Sequence, residues 1–310
     1  MVNLIANENM KIYRRWRTWI MVILLVLMTC VVSYAVHRVM NPATQDWRAS
    51  LQDKIRQQES VIQDTPEFMK KQMEEQLAVD KEYLKRDIPP VDSTFWGGVK
   101  NASGLILLIT IFTVIVAGDI VAGEFTWGTI KLLLIRPASR SKILLSKYIA
   151  SFLFALLLLA ILFVTAVIAN GVLYGFSGGM NPFLHVNGSG QIVETPAVLH
   201  VMQTYGYQCV QLIMVVTLAF MISTVFRSNS LSIGLSIFLM LISQAILPLI
   251  MNYSWGKYYL FANTDLTQYI NGSPLMEGMS LGFSVAVLAV YFVLFNALSW
   301  LIFTKRDVAG

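Results

Sequence analysis

Six apolar runs, each free of Asp, Glu, Lys and Arg at its middle, leave this chain few folds to adopt: Thr18 to Met40, Ser103 to Val121, Leu145 to Ala169, Tyr205 to Phe226, Leu231 to Met251 and Leu281 to Phe303. A helix of about 20 residues crosses the roughly 30 Å hydrocarbon core of a bilayer. The expected fold is therefore all-α, a polytopic membrane protein with six transmembrane helices. Composition agrees, since 13% of the 310 residues are charged and 56% hydrophobic, against about a quarter charged in a soluble domain. A soluble enzyme is excluded. The net charge of +5 does not point to nucleic acid, because the basic residues cluster beside the apolar runs, where topology and anionic lipid account for them. Cys30 and Cys209 sit inside apolar runs and read as small buried hydrophobes rather than a disulfide or metal pair.

Short loops on the cytoplasmic side of a membrane protein collect Lys and Arg. With six spans the two termini share a side, and twelve basic residues fall there, among them Lys11, Arg14, Arg15, Arg17, Arg140, Lys142 and Lys147; outside the one long loop, the other side has three, Arg38, Lys100 and Lys257. Both termini are expected in the cytoplasm. Residues 1–17, with Tyr13, Trp16 and Trp19 close to four cations, read as an interfacial helix, 18–40 as the first span and 98–310 as the remaining five-span bundle. Between them, 41–97 is charged and helical in composition. Trp47, Leu51, Ile55 and Ile62 recur at helical spacing, as do Met69, Met73, Leu77 and Leu84, and Thr65-Pro66-Glu67 suits a helix start, so an extracellular αα-hairpin is expected. The connection from Asn252 to Ser280 is aromatic and poor in charge, and suits either a re-entrant segment or an aromatic belt.

The most specific stretch is the cytoplasmic segment 119–147. Glu124 is expected to open a short helix whose positive dipole end it complements, with Trp127, Ile130, Leu133 and Leu134 as an apolar stripe. Pro137 interrupts that helix, and Ser139 or Ser141 caps the next one, which carries Lys142 and Lys147 into the third span. Glu124, Gly128-Thr129, Lys131, Leu133-Leu134, Pro137, Ser139-Arg140 and Lys147, in that order directly after the second span, resemble the membrane subunit of two-component ABC exporters, the type-2 ABC permease family. The resemblance implies that Glu124, Trp127, Gly128, Thr129, Lys131, Leu133, Leu134, Pro137 and Arg140 belong to a coupling helix that docks on an ATPase. It also implies two copies of a separate ATPase subunit, which holds the ATP and Mg, a second permease subunit that is the same or homologous, and a place in the plasma membrane of a bacterium. This chain has no Gly-x-x-x-x-Gly-Lys-Ser/Thr to hold nucleotide phosphates, so no cofactor and no enzymatic activity of its own are expected.

Uncharged polar residues at helical spacing, Thr29, Ser33, Gln203, Tyr207, Gln211, Ser232, Ser236 and Asn296, are candidates for a substrate route as a set, although for any single one of them helix-to-helix packing is the stronger reading. The implied function is export of a hydrophobic or amphiphilic compound such as an antimicrobial peptide, drug or lipid. Two other classes compete with it: a membrane sensor or scaffold whose outer hairpin binds a ligand, and an intramembrane hydrolase. The hydrolase needs a positioned nucleophile and base, and the spans offer no recognisable set.

Overall fold

The computed structural model describes residues 1–40, 47–62, 67–130, 138–175, 181–186, 190–270 and 274–305. Helix α1 (Val2–Tyr13) turns at Arg14–Arg15 into α2 (Trp16–Met40), and α3 (Trp47–Ile62) and α4 (Glu67–Arg86) follow. The chain then enters α5 (Phe95–Ala102), which passes through a 3-10 turn at Ser103–Leu105 into α6 (Ile106–Thr126). Next come α7 (Arg140–Tyr174), strands β1 (Pro182–Val186) and β2 (Ile192–Pro196), α8 (Ala197–Phe226), α9 (Asn229–Ile250), the short α10 (Leu260–Thr264) and α11 (Leu281–Lys305). Among the described residues six helical segments are long and apolar enough to cross a membrane: α2, α5–α6, α7, α8, α9 and α11. Among the described residues the fold is all-α apart from one antiparallel hairpin, in which Leu184 pairs with Glu194.

The six segments divide by burial. In their most apolar windows, 72% of the residues of α5–α6 and 61% of those of α8 are buried, against 17–28% for α2, α7, α9 and α11. Two central helices are thus ringed by four that turn Ile23, Leu27, Val31, Val172, Phe238 and Val293 outward. Such an apolar surface is unfavourable in water and natural against lipid tails. Helices α6 and α8 are latched by Ser223, whose Oγ donates to the Gly118 carbonyl at 2.7 Å and accepts the Ala122 N–H at 2.9 Å. Arg227 in the left-handed conformation ends α8, and Ser228 caps α9 by accepting the Leu231 N–H, so a two-residue turn makes α8 and α9 antiparallel neighbours.

One end of the bundle, here the N-terminal face, carries α1, the end of α6, the start of α7 and the end of α11. The other carries a cap made of α3, α4 and the β-hairpin. Leu51, Ile55, Val79, Tyr83, Leu184 and Val186 form its core, with Trp47, Leu77 and Leu84 packed against them. Of the residues expected as seams, Leu51 and Ile55 lie in this core and Trp47, Leu77 and Leu84 against it, while Val79 and Tyr83 join the core and Met73 is only half-buried. Tyr83 Oη accepts the Leu184 N–H at 2.7 Å and donates to the Pro182 carbonyl at 3.3 Å. Burial pushes its phenol up to about 12, beyond what the Leu184 hydrogen bond restores. The β-hairpin, which the sequence does not announce, is therefore part of the cap.

Several expectations need correcting. Residues 1–17 are not one helix, because α1 ends at Tyr13 and Trp16 already belongs to the first span. The second span runs from Phe95 to Thr126, longer at both ends than the Ser103 to Val121 expected, and Thr94 caps its first helix through the Gly97 N–H. Cys30 is exposed and Cys209 half-buried, both as free thiols. Thr65, Pro66 and the Met69 side chain lie outside the described residues. Within the connection between α9 and α11, Leu260, Ala262, Asn263, Thr264 and Leu266 are buried.

Candidate functional site

On the N-terminal face, four charges from three elements close into a ring. Glu8 and Lys11 are one turn apart on α1 and pair at 3.0 Å. Lys11 Nζ reaches Glu124 Oε1 on α6 at 2.9 Å, Glu124 Oε1 meets Lys147 Nζ on α7 at 2.9 Å, and Lys147 returns to Glu8 Oε2 at 2.8 Å. Each charge has two opposite neighbours, and the ring is neutral. The Lys147 side chain is 1% exposed and that of Glu8 7%, so both ions are largely shielded from bulk solvent and each depends on the others: removing one partner of a buried pair costs about 3–5 kcal/mol. Burial opposes the charge on Lys11, but its hydrogen bonds to Glu124 and Glu8 outweigh that and hold its ammonium above the ordinary value.

A second knot lies beside the first. Asp119, 3% exposed, accepts from Arg15 and Arg17 at the α1–α2 bend and from Asn229 Nδ2 at the start of α9 at 2.5 Å. Gly123 makes room for this carboxylate, since a Cβ there would stand 2.7 Å from Asp119 Oδ1. Between α1 and the end of α6 remains a cavity of about 430 Å³, bounded by Ile12, Arg15, Val116, Glu124 and Trp127. From its rim the turn Trp127–Gly128–Thr129 projects, with Trp127 75% exposed.

This geometry changes the part given to Glu124. It stands in the last turn of α6, not at the start of a new helix, where a carboxylate faces the negative end of the helix dipole. Lys11, Lys147 and the Thr129 hydroxyl hold it there. Gly128 has φ of +68° with open space around its missing Cβ, so it ends α6 in the left-handed conformation that glycine adopts at little cost. Trp127 and Ile130 do not share a stripe, because Trp127 points away from the protein while Ile130 is 5% exposed and packs with Val121, Ile143, Leu144, Phe220 and Phe303. Arg140 opens α7 and donates to the Thr304 carbonyl of α11 at 3.2 Å, and Ser139 caps α7 as expected. Lys131, Leu133, Leu134 and Pro137 lie outside the described residues.

The candidate route residues do not converge. Thr29, Ser33, Ser232 and Ser236 are at most 1% exposed. The hydroxyls of Thr29, Ser232 and Ser236 donate to carbonyls of the preceding turn, and Ser33 accepts from Asn170 on α7 at 3.1 Å. Asn296 donates to Tyr148 Oη at 3.3 Å and to the Phe292 carbonyl. Gln203 is exposed, and Tyr207 and Gln211 are half-buried. Glu8, buried second only to Lys147 within the ring, does not stand out in the sequence, because a single acid on a terminal helix gives no sign of a partner 139 residues away.

A family described as protein of unknown function DUF2705 matches residues 61–309. The chain belongs to DUF2705. It is 40% identical over 314 residues, the full length of both chains, to the uncharacterized protein YhcI of Bacillus subtilis (strain 168). It is also 29% identical over 220 residues to the uncharacterized membrane protein YdbK of the same organism, covering 70% of this chain and 85% of that one. The DUF2705 match takes in Glu124 and Lys147 but begins after α1, and the YhcI match includes α1. Six apolar helices and a relative described as a membrane protein agree on a multi-pass membrane protein.

Proposed function

We propose that this chain is the transmembrane subunit of an ATP-driven exporter of the two-component ABC kind, with the N-terminal face in the cytoplasm and the cap outside. A second permease subunit and a pair of separate ATPase chains complete the assembly, and the cargo is a hydrophobic or amphiphilic compound. The observation that carries the reading is the anchored turn after α6. A partner that pushes on Trp127–Thr129 acts on Glu124, and the ring passes the displacement to α1 through Lys11 and to α7 through Lys147. Three elements then move as one body, because separating any of them breaks two short ion pairs of largely buried charges. A surface tryptophan fits a docking role, since Trp is enriched where binding energy concentrates. The residues of the resemblance that follow, Lys131, Leu133, Leu134 and Pro137, would extend the docking element.

Co-expression with each ABC ATPase encoded in the same genome, followed by affinity purification and ATP hydrolysis in nanodiscs, tests the reading. One ATPase should co-purify, and Trp127→Ala should weaken its retention at least tenfold while the six-span subunit still inserts. If no ATPase is retained by the wild-type chain, the exporter reading fails.

A further inference from the structure

Along α9 the buried serines Ser232, Ser236 and Ser243 turn inward and donate to carbonyls of the preceding turn. Gln244 does not. Its side chain is exposed and makes no hydrogen bond to another described residue. Pro248 stands four residues further along the same helix and has no N–H, so the Gln244 carbonyl also lacks its usual helical donor. This turn lies inside the membrane. The end of α9 at Ile250 is about 9 Å further on at 1.5 Å per residue, and the exposed Tyr253, Trp255 and Tyr258 beyond it mark the headgroup level. Hydrocarbon has no hydrogen bonds to offer, and an amide or carbonyl left bare in it is costly. Whatever covers this face must bring polar atoms to the depth of Gln244.

The surroundings receive another helix. Ile233 and Gln244 lie about three turns apart on one side of α9, and that side meets α6, where a Cβ on Gly118 would stand 2.9 Å from Ile233 Cγ1. The two helices run antiparallel, so Leu107 and Gln244, equally far from that contact, come level. Leu107 is 52% exposed, although its span is the most buried of the six. Leu241, Ala245 and Pro248 continue the outward face of α9. We propose that this edge of α6 and α9 pairs with the same edge of a second copy of the chain, about a twofold axis normal to the membrane. Copies inserted in one direction hold identical residues at identical depths, so the two Gln244 amides meet. A primary amide is its own complement: each donates an N–H to the other's amide oxygen or to the carbonyl that Pro248 leaves open. Leu107, Leu241 and Ala245 pack around the pair, and the interface is isologous and closed. A lipid tail supplies none of these bonds, and an unrelated membrane protein would need a polar group of its own at the same level. As the face of the second permease subunit the inference rests on the exporter reading; the pairing itself follows from α6 and α9.

Cross-linking of full-length chains in native membranes, with Cys30→Ser and Cys209→Ser as background and no ATPase co-expressed, tests this. Leu241→Cys and Ala245→Cys should give disulfide-linked dimers under mild oxidation, whereas Val164→Cys on α7 and Val293→Cys on α11 should not. Dimers formed as readily through α7 or α11, or no dimers at all, overturn the proposal. Gln244→Leu tests the amide itself. Leucine is at home against lipid, so the variant should insert and fold, and its dimer, followed by fluorescence energy transfer on dilution in liposomes, should dissociate at least tenfold more readily than the wild-type one. Undiminished pairing of this variant overturns the proposal as well. A chain that pairs through α9 but retains no ATPase would sink the exporter reading alone, and one that retains an ATPase without pairing would sink this inference alone.

Discussion

Lys147 shows how far one residue's setting departs from its type. A lysine in the second turn of a membrane helix reads as a positive-inside flank, yet its side chain is 1% exposed and held between two glutamates. Lys147→Met should therefore destabilise the protein by about 3–5 kcal/mol, the cost of leaving buried charge uncompensated. Lys11→Met should cost about 1 kcal/mol or less, because that side chain is 37% exposed and solvent screens what remains. Thermal unfolding followed by helical circular dichroism in one detergent measures both, and equal shifts would contradict the ring as described. Combining Glu8→Gln with Lys147→Met should cost less than the sum of the two, by at least about 1 kcal/mol, because the pair interacts directly. Gly128→Ala tests the helix end independently, with about 1 kcal/mol expected from forcing a Cβ into the left-handed region. Little of this was legible in the sequence. Glu124 stood out because it lies in a recognisable string, but whether it begins a helix or ends one depends on how far α6 persists beyond its apolar run, and Glu8 gains its meaning only from residues brought beside it by the fold.

At the scale of elements, the spans were legible because about 20 apolar residues in a row admit few other structures. The helical pair α3–α4 was legible because Leu51 and Ile55 recur at helical spacing. The β-hairpin was not, since Pro182–Val186 and Ile192–Pro196 are short and bury only Leu184 and Val186 on the cap side. Their partner, Tyr83, lies some 100 residues earlier. An isolated peptide of residues 41–92 lacks that cover, so it should show weaker helical signal than the same residues in the full chain, as hydrogen exchange of α3 and α4 in both would reveal. Tyr83→Phe leaves the Leu184 N–H unsatisfied and should loosen the hairpin by about 1–3 kcal/mol, read as faster exchange at β1 and β2. The cap should also respond to acid. Burial holds the His185 imidazole below its ordinary value of 6.5, so the folded cap binds fewer protons than the unfolded chain just below that value. Its full stability is present above pH 6.5 and declines as pH falls toward the depressed value. Proteolysis of the cap at pH 5 and 7.5 should show this, and His185→Gln should flatten the difference.

For the whole molecule, the charge asymmetry predicts that cysteines placed at Lys71 and Gly188 react with an impermeant reagent from outside intact cells, and that those at Arg136 and Gly310 react only after permeabilisation. Labelling of Lys71 from the inside would reverse the orientation on which the proposed function depends. The two ends of the molecule share a further property, which concerns the order of its manufacture. On one face Glu8 waits for Lys147, the last member of the ring to be synthesised; on the other, Tyr83 waits for Leu184. Both late partners flank the third span, α7, at its two ends. At a translation rate of about 5–20 residues per second, the interval from Tyr83 to Leu184 is on the order of ten seconds. Until Lys147 emerges, Glu8 has only Lys11 as its base at one end, and until Leu184 emerges an apolar seam lies uncovered at the other. Lys147 comes with α7 and Leu184 directly after it, so a ribosome stalled before this helix emerges would leave both ends of the bundle incomplete at once, and the stretch from the third span to β1 is where a finished fold differs most sharply from an abandoned one.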